Sequence, residues 1–314
     1  MKKINIKDFG IIGVLIVVIA FFGITSSKFL TISNMSTILQ QVASVCVCSL
    51  GMMFVLITGG IDLSVGFMAS AVGMLSAFCM TSMQMGVVMS LIATLVFALI
   101  IGAVQGVLVA KVKVPPFIVT MAFMNGLKGF SYLITSGKAI YDLPPVIRTI
   151  GQGKLLGIAF PVWIMIVLVA ITAFFTRKIY LGRYFYAVGS NEEAAKLTGI
   201  NADMVKIATY MMSAFFAFVA GIIMMGRLAT ASPNSGDGFE FDVITACVLG
   251  GVSMSGGKGQ VFQAVIGAII IAVLNNGMIQ LHVDTYVQLV IKGLILLLAV
   301  VFDSVQQNRK AKAR

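Results

Sequence analysis

Ten apolar runs separated by short polar stretches set the terms on which this chain can fold. They lie at 9–25, 38–57, 63–83, 85–110, 117–134, 156–175, 207–225, 241–254, 261–281 and 286–302. Most match the roughly 17 to 25 residues that a helix needs to cross a bilayer. Charged residues make up 11% of the chain, whereas a soluble domain carries roughly 25%, so lipid is the solvent for most of it. The expected fold class is an all-α polytopic membrane protein: one domain over 1–314 with about ten transmembrane helices. The run at 241–254 is short and glycine-rich and is expected to be broken or re-entrant, which is tolerated only where protein buries its backbone.

The net charge of +11 would suggest nucleic acid in a soluble protein. Here the basic residues stand at the ends of apolar runs: Lys2, Lys3 and Lys7 before the first, Lys111 and Lys113 after the fourth, and Arg309, Lys310, Lys312 and Arg314 after the last. Lys and Arg collect on the cytoplasmic side of membrane proteins, so the pattern reads as topology, and no nucleic-acid partner is expected. An even number of spans places both termini in the cytoplasm, and the loops at 111–113, 177–206 and Lys258 fall on that side too. Lys28, Lys138, Arg148, Lys154 and Arg227 remain outside, with Lys128 and Lys292 near outer helix ends. The basic start also resembles a secretory signal, but no small-x-small cleavage site stands near Thr25 to Lys28, so a retained first helix is expected.

Catalytic chemistry has little to work with. Cys46, Cys48, Cys79 and Cys247 all sit inside apolar runs without metal-ligand spacing and read as packing residues. The only histidine, His282, stands beside Asp284 near an outer helix end and reads as a solvated loop residue. The glycine-rich stretch up to Lys258 fails as a phosphate-binding loop, because Val252 occupies the first glycine position and Gly259 follows the lysine. No nucleophile elbow or paired-carboxylate arrangement appears in the spans. The chain is expected to be neither an enzyme nor an ATP binder, with no cofactor or metal of its own.

Within the basic loop lies an amphipathic island, GSNEEAAKLTG at 189–199. Glu, Ala, Lys and Leu favour helix. Ser190 or Asn191 can cap its start, Glu192 and Glu193 suit the positive end of its dipole, and Gly199 can stop it. A short, well-capped helix is expected, Glu193-Ala194-Ala195 leading to Gly199. A membrane protein that presents such a helix offers it to a partner.

Two glycine-rich runs, GGIDLSVG at 59–66 and GGVSMSGG at 250–257, share glycine pairs, a serine and a final glycine at matching offsets. They read as a duplicated helix break of the kind found in transporters or as two ordinary tight turns. Asp62 is ionisable near the membrane and so a functional candidate; Asp62 or Ser64 can also simply cap the next helix. Other polar groups in the runs are neutral: Gln40, Gln41, Gln105, Asn125, Asn275, Asn276 and Gln288. They suit either the route of a neutral hydrogen-bonding solute or bonds between helices. The near absence of charged pairs in the runs argues against an ion-coupled carrier. Gly102 and Gly106 form a GxxxG packing motif.

The segments LITGGIDLSVG (56–66), LGRYFYAVGSNEEAAKLTGIN (181–201), GFEFDVITACVLGGVSMSGGKG (238–259) and LNNG (274–277) give the chain a resemblance over nearly its whole length. It resembles the inner-membrane permease of a bacterial ribose, galactose or xylose type ABC importer. The resemblance implies transport of a monosaccharide or a related polyhydroxylated solute such as inositol, with ATP and Mg held by a separate cytoplasmic ABC ATPase. It also implies a periplasmic or lipid-anchored sugar-binding protein and a second permease copy, identical or paralogous. Ser190, Asn191, Glu192, Glu193, Ala194, Ala195 and Gly199, within the loop 181–201, would form the coupling helix that docks on the ATPase. Asp62, Ser64, Asn125, Asn275 and Asn276 are the candidates for the solute route. The outer loop 227–242, with Asn234, Asp237, Glu240 and Asp242, is expected to receive the binding protein, unless Glu240 and Asp242 only favour the dipole of the following helix. The segment 136–154 with Pro144 and Pro145 is a second such surface. A stand-alone secondary transporter is the alternative to an ABC subunit.

Overall fold

The computed structural model describes the backbone of residues 6–312 and the side chains of 10–305. Lys2, Lys3 and Arg314 lie outside the described residues, as do the side chains of Lys7, Arg309, Lys310 and Lys312. The apolar runs form α1 (Ile6–Thr25), α2 (Ile32–Ile57), α3 (Val65–Thr81), α4 (Val87–Ala110), α5 (Pro116–Leu133), α7 (Phe160–Lys178), α10 (Ala202–Leu228), α11 (Phe239–Gly250), α12 (Val261–Gln280) and α13 (Thr285–Lys312). Between them stand three short helices, α6 (Pro145–Gln152), α8 (Tyr180–Ser190) and α9 (Glu192–Leu197), and the hairpin β1 (Lys154–Leu155) and β2 (Ile158–Ala159). Six described helices, α2, α4, α7, α10, α12 and α13, are long and apolar enough to cross a membrane. The ten runs are therefore ten helices but not ten equal spans.

Helix α2 is the axis of the bundle, buried without interruption from Val42 to Ile57. It is apolar on all sides, as a central helix must be. Helix α10 packs beside it, with α4 on the far side of α10. The GxxxG motif makes that second contact possible: a Cβ on Gly102 would meet Tyr210 O at 2.7 Å, and one on Gly106 would meet Ile207 Cα at 2.6 Å. By contrast α4, α7 and α13 turn rows of Val, Ile, Leu and Phe outward, as lipid-facing helices do. All four cysteines are buried, Cys247 Sγ lying 3.3 Å from Ser49 O.

Two helices begin inside the bundle. After α2 the chain turns at Gly59 (φ +79°) and runs back extended, with Thr120 Oγ1 donating to Ile61 O (3.2 Å) and Ser213 Oγ donating to Asp62 Oδ2 (2.7 Å). Ser213 lies about 16 Å along α10 from its start at 1.5 Å per residue, so α3 begins near mid-depth. After α10 the chain also folds back, through a bridge of Ala231 with Ile140, until Gly236 N–H donates to Ser70 Oγ (2.6 Å) in the second turn of α3. There α11 begins and runs for only 12 residues. The broken helix expected at 241–254 is thus present, and α3 is a second one that the hydropathy read as a full span.

The starts of α3 and α11 touch through glycine. A Cβ on Gly236 would lie 1.8 Å from Gly66 O, and one on Gly66 would lie 2.2 Å from Glu240 Oε2. The paired glycine runs do not repeat each other locally. In the first only Gly59 has a positive φ, whereas in the second Gly251, Gly256 and Gly257 all do, and the following helices start at Val65 and Val261. The second run packs instead on the end of α2 just before the first, Gly257 N–H donating to Ile57 O at 2.8 Å. Gly236→Val is expected to cost more than about 3 kcal/mol through backbone overlap. Loss of the monodisperse peak in detergent chromatography checks it, whereas normal elution and melting would show that the two starts do not need this contact.

Candidate functional site

Asp62 lies at the inner start of α3, where burial demands a partner for each oxygen. Its Oδ1 accepts from Ser64 N–H (2.9 Å) and Ser64 Oγ (2.6 Å), and its Oδ2 from Ser213 Oγ; Gln105 Nε2 then donates to Ser64 Oγ at 2.8 Å. This network ties the α2–α3 linker to α10 and α4. Asp62 is 2% and Ser64 1% exposed, and neither borders the cavity described below. Ser64 occupies the N-cap position of α3 but makes no side-chain cap there. Of the two cap candidates Asp62 is the one that bonds the start of α3, through Ser64 N–H, and the pair also bridges the linker to α10 and α4.

The second polar group borders a cavity of about 540 Å³ lined by α2, α10, α11, α12, α13 and the linker before α11. Asp242 Oδ2 accepts from Lys292 Nζ and from Asn275 Nδ2, each at 2.9 Å, joining α11 to α13 and α12. This is a charged pair between two apolar runs, where the sequence reading expected almost none. Asn275 borders the cavity, whereas Asn276 turns away and exchanges amide bonds with Asn34 of α2 at 2.9 and 3.0 Å. The roughly 100° between successive helical side chains separates the two. Asn125 lies elsewhere, exposed on α5 with its Nδ2 bonded to Met121 O (3.1 Å). Of the five candidates for the solute route, only Asn275 borders the cavity.

The expected outer docking loop is also divided. Asn234 and Asp237 are exposed, but Glu240 is 2% and Asp242 8% exposed. Both buried acids lie in the first turn of α11, where a carboxylate suits the positive end of the helix dipole. They therefore present no surface to a partner. The segment 136–154 forms α6 and leads into the hairpin, with Pro144 and Pro145 at the helix start; Gln152 Nε2 donates to Arg227 O at 3.0 Å and closes the end of α10.

At the opposite, basic end the polar island forms α9 as expected. Asn191 is the cap, its side-chain oxygen accepting from Ala194 N–H at 3.0 Å, while Ser190 ends α8, a helix that the sequence reading left as loop. Gly199, at φ +84°, closes α9 with a Schellman pair: Gly199 N–H to Lys196 O (2.9 Å) and Ile200 N–H to Ala195 O (3.1 Å). Glu192 binds Lys206, Lys196 (3.0 Å) and Lys113 (3.7 Å), and Lys113 also binds Asp203 (3.0 Å). The hydrogen bond from Lys206 first, and Lys196 next, hold the Glu192 carboxyl down at about 2. A depressed carboxyl stabilises the fold above its ordinary range and loses that contribution only as pH falls towards 2, so the clamp persists through the physiological range. Ala195 is buried, but Glu193 and Leu197 point outward, Leu197 being 90% exposed. Lys113, Lys206 and Asp203 are the partners that sequence reasoning missed; their only signal was charge, without an address.

Asn275→Ala is expected to reduce solute uptake in vesicles and, through loss of its bond to Asp242, to lower melting slightly. Asn276→Ala is expected to lose about 1 kcal/mol of inter-helix bonding and a few degrees of melting temperature, with uptake retained. Full uptake by both variants would remove the pair from any solute route.

A family model described as branched-chain amino acid transport system / permease component matches residues 34–300. The ribose import permease protein RbsC of Escherichia coli (strain K12) is 39% identical over 297 residues, covering 93% of this chain and 92% of that protein. Its namesake from Haemophilus influenzae is 36% identical over 300 residues, covering 94% and 93%. The xylose transport system permease protein XylH of Haemophilus influenzae is 33% identical, covering 99% of each. No solved structure matches the chain. With its rows of lipid-facing residues and full-length similarity to import permeases, this multi-pass membrane protein belongs to the permease-component family of that transport system.

Proposed function

We propose that the chain is the membrane subunit of an ABC importer that conducts a ribose-like monosaccharide, or a related polyhydroxylated solute, into the cytoplasm. The observation that carries the reading is α9: a helix stopped at both ends, clamped by lysines on one side and presenting Glu193 and Leu197 on the other. Such a rigid, half-exposed element suits docking on a cytoplasmic ATPase that holds ATP and Mg, and its similarity to ribose and xylose permeases supports a sugar as cargo. The exposed face of α5, where polar Asn125 stands beside Gly126 and Gly129 with open space around them, suits a second permease copy, because an amide left in hydrocarbon costs free energy. Asn234 and Asp237 are the remaining candidates for contact with a periplasmic or lipid-anchored binding protein. The part-buried Asp242–Lys292 pair favours a second reading, a stand-alone secondary transporter.

The two readings separate in proteoliposomes. With the ATPase and binding protein present, Gly199→Val should strain a left-handed residue by about 1–2 kcal/mol and cut solute-stimulated ATP hydrolysis at least tenfold, with insertion intact. Unchanged stimulation would remove α9 from coupling, and uptake without any ATPase would favour the secondary transporter.

The ten-span topology, with both termini cytoplasmic, places Ser190 and Lys138 on opposite faces, one crossing apart through α7. Ser190→Cys and Lys138→Cys, in a chain whose four native cysteines are replaced, should react with an impermeant reagent from opposite sides. Reaction of both from one side would overturn that topology.

A further inference from the structure

Among the described residues, nine buried side-chain polar atoms have no hydrogen-bond partner, and four belong to side chains in the wall of the single cavity beside Asp242. They are Gln41 Oε1, Ser44 Oγ, Arg227 Nε and Asn275 Oδ1. Each orphaned group costs about 1–3 kcal/mol, so four in one wall describe a site that is complete only when something else supplies their partners. The orientation of Asn275 is not arbitrary. Its Nδ2 donates to the Asp242 carboxylate, and a flipped amide would set oxygen against oxygen.

We infer that this half-open cavity, lined by one copy of the chain, binds a neutral, hydroxyl-rich small molecule. The wall mixes acceptors (the two amide oxygens), a donor (Arg227) and a hydroxyl that serves as both (Ser44). Sugar or polyol hydroxyls, which donate and accept, match that mixture; a phosphate, an anion with more acceptor than donor oxygens, is opposed by the two carbonyl oxygens. Formal charge gives the same answer. Arg227 and Lys292 are balanced by Asp237 and Asp242, so the cavity carries no net charge to attract an ion. Phe239 and Phe241 add aromatic surface to the wall for the apolar face of a sugar ring. The volume of about 540 Å³ falls in the range of small-molecule sites. The orphaned atoms lie beneath the surface of the wall; rotation of Gln41, Ser44 and Arg227, common on ligand binding, brings theirs to an occupant, while Asn275 keeps its bond to Asp242.

The choice of sugars as probes rests on the transport reading proposed above. The test is saturation-transfer NMR on the purified full-length chain in nanodiscs, without ATPase or binding protein, using D-ribose, D-xylose, myo-inositol and inorganic phosphate. At least one of the three polyols is expected to bind saturably and phosphate is not. Gln41→Leu and Asn275→Leu should each raise Kd at least tenfold; Ser44→Ala serves the same purpose if either elutes as aggregate. Absence of binding by all three polyols, equal binding of phosphate, or unchanged affinity in the variants would overturn the site. ATP-driven uptake by the assembled importer without binding to the isolated chain would overturn the site and leave the transport reading standing. Binding without ATP-driven uptake would uphold the site and reject that reading.

Discussion

The architecture depends on the meeting of two helix starts in the middle of the bundle. Helices α3 and α11 both begin at depth, and the unpaired N–H groups of a first turn carry partial positive charge that hydrocarbon cannot solvate. Two such ends facing each other would repel. The structure answers with buried carboxylates: Asp62 beside the start of α3, and Glu240 and Asp242 in the first turn of α11. Glycine at 66 and 236 lets the backbones approach closely enough to share this solution.

From that contact the two ends of the molecule acquire different characters. At the basic end, where the linker before α3 loops back, Ile57 at the end of α2 lies against the turn after α11, and α8 and α9 are laid over the same end. Because the linker before α11 loops back from the other end, it opens the space that Asp242, Asn275 and Lys292 enclose with α13. A rigid platform at one end and a polar cavity towards the other are thus two consequences of one pair of broken helices.

The carboxylates show how little residue type alone decides. Asp62, Glu192 and Asp242 are each acids beside basic or polar neighbours, yet they do three different things. Asp62 accepts three hydrogen bonds in a sealed network, Glu192 clamps a surface helix through three lysines, and Asp242 joins α11, α12 and α13 at the edge of a cavity. Burial and the identity of the packed neighbours separate the roles, and both are properties of the folded chain.

The sequence by itself determined the all-helical class, the places of the ten apolar helices, the capped α9 with its stop at Gly199, a packing face on α4 at Gly102 and Gly106, and, through the helical period, that the adjacent Asn275 and Asn276 point in different directions. Each follows from local physics: run length against bilayer thickness, cap chemistry, side-chain volume and helical period. Only the tertiary structure decided that α3 is a second broken helix, that Glu240 and Asp242 are buried, that Asp62 and Ser64 seal a network, and that Lys292 finds Asp242 and Lys113 finds Glu192. These outcomes join residues from 50 to more than 150 positions apart in the chain. No periodicity or propensity records which helix will lie beside which, so the partners of a buried polar group remain invisible until the bundle is assembled.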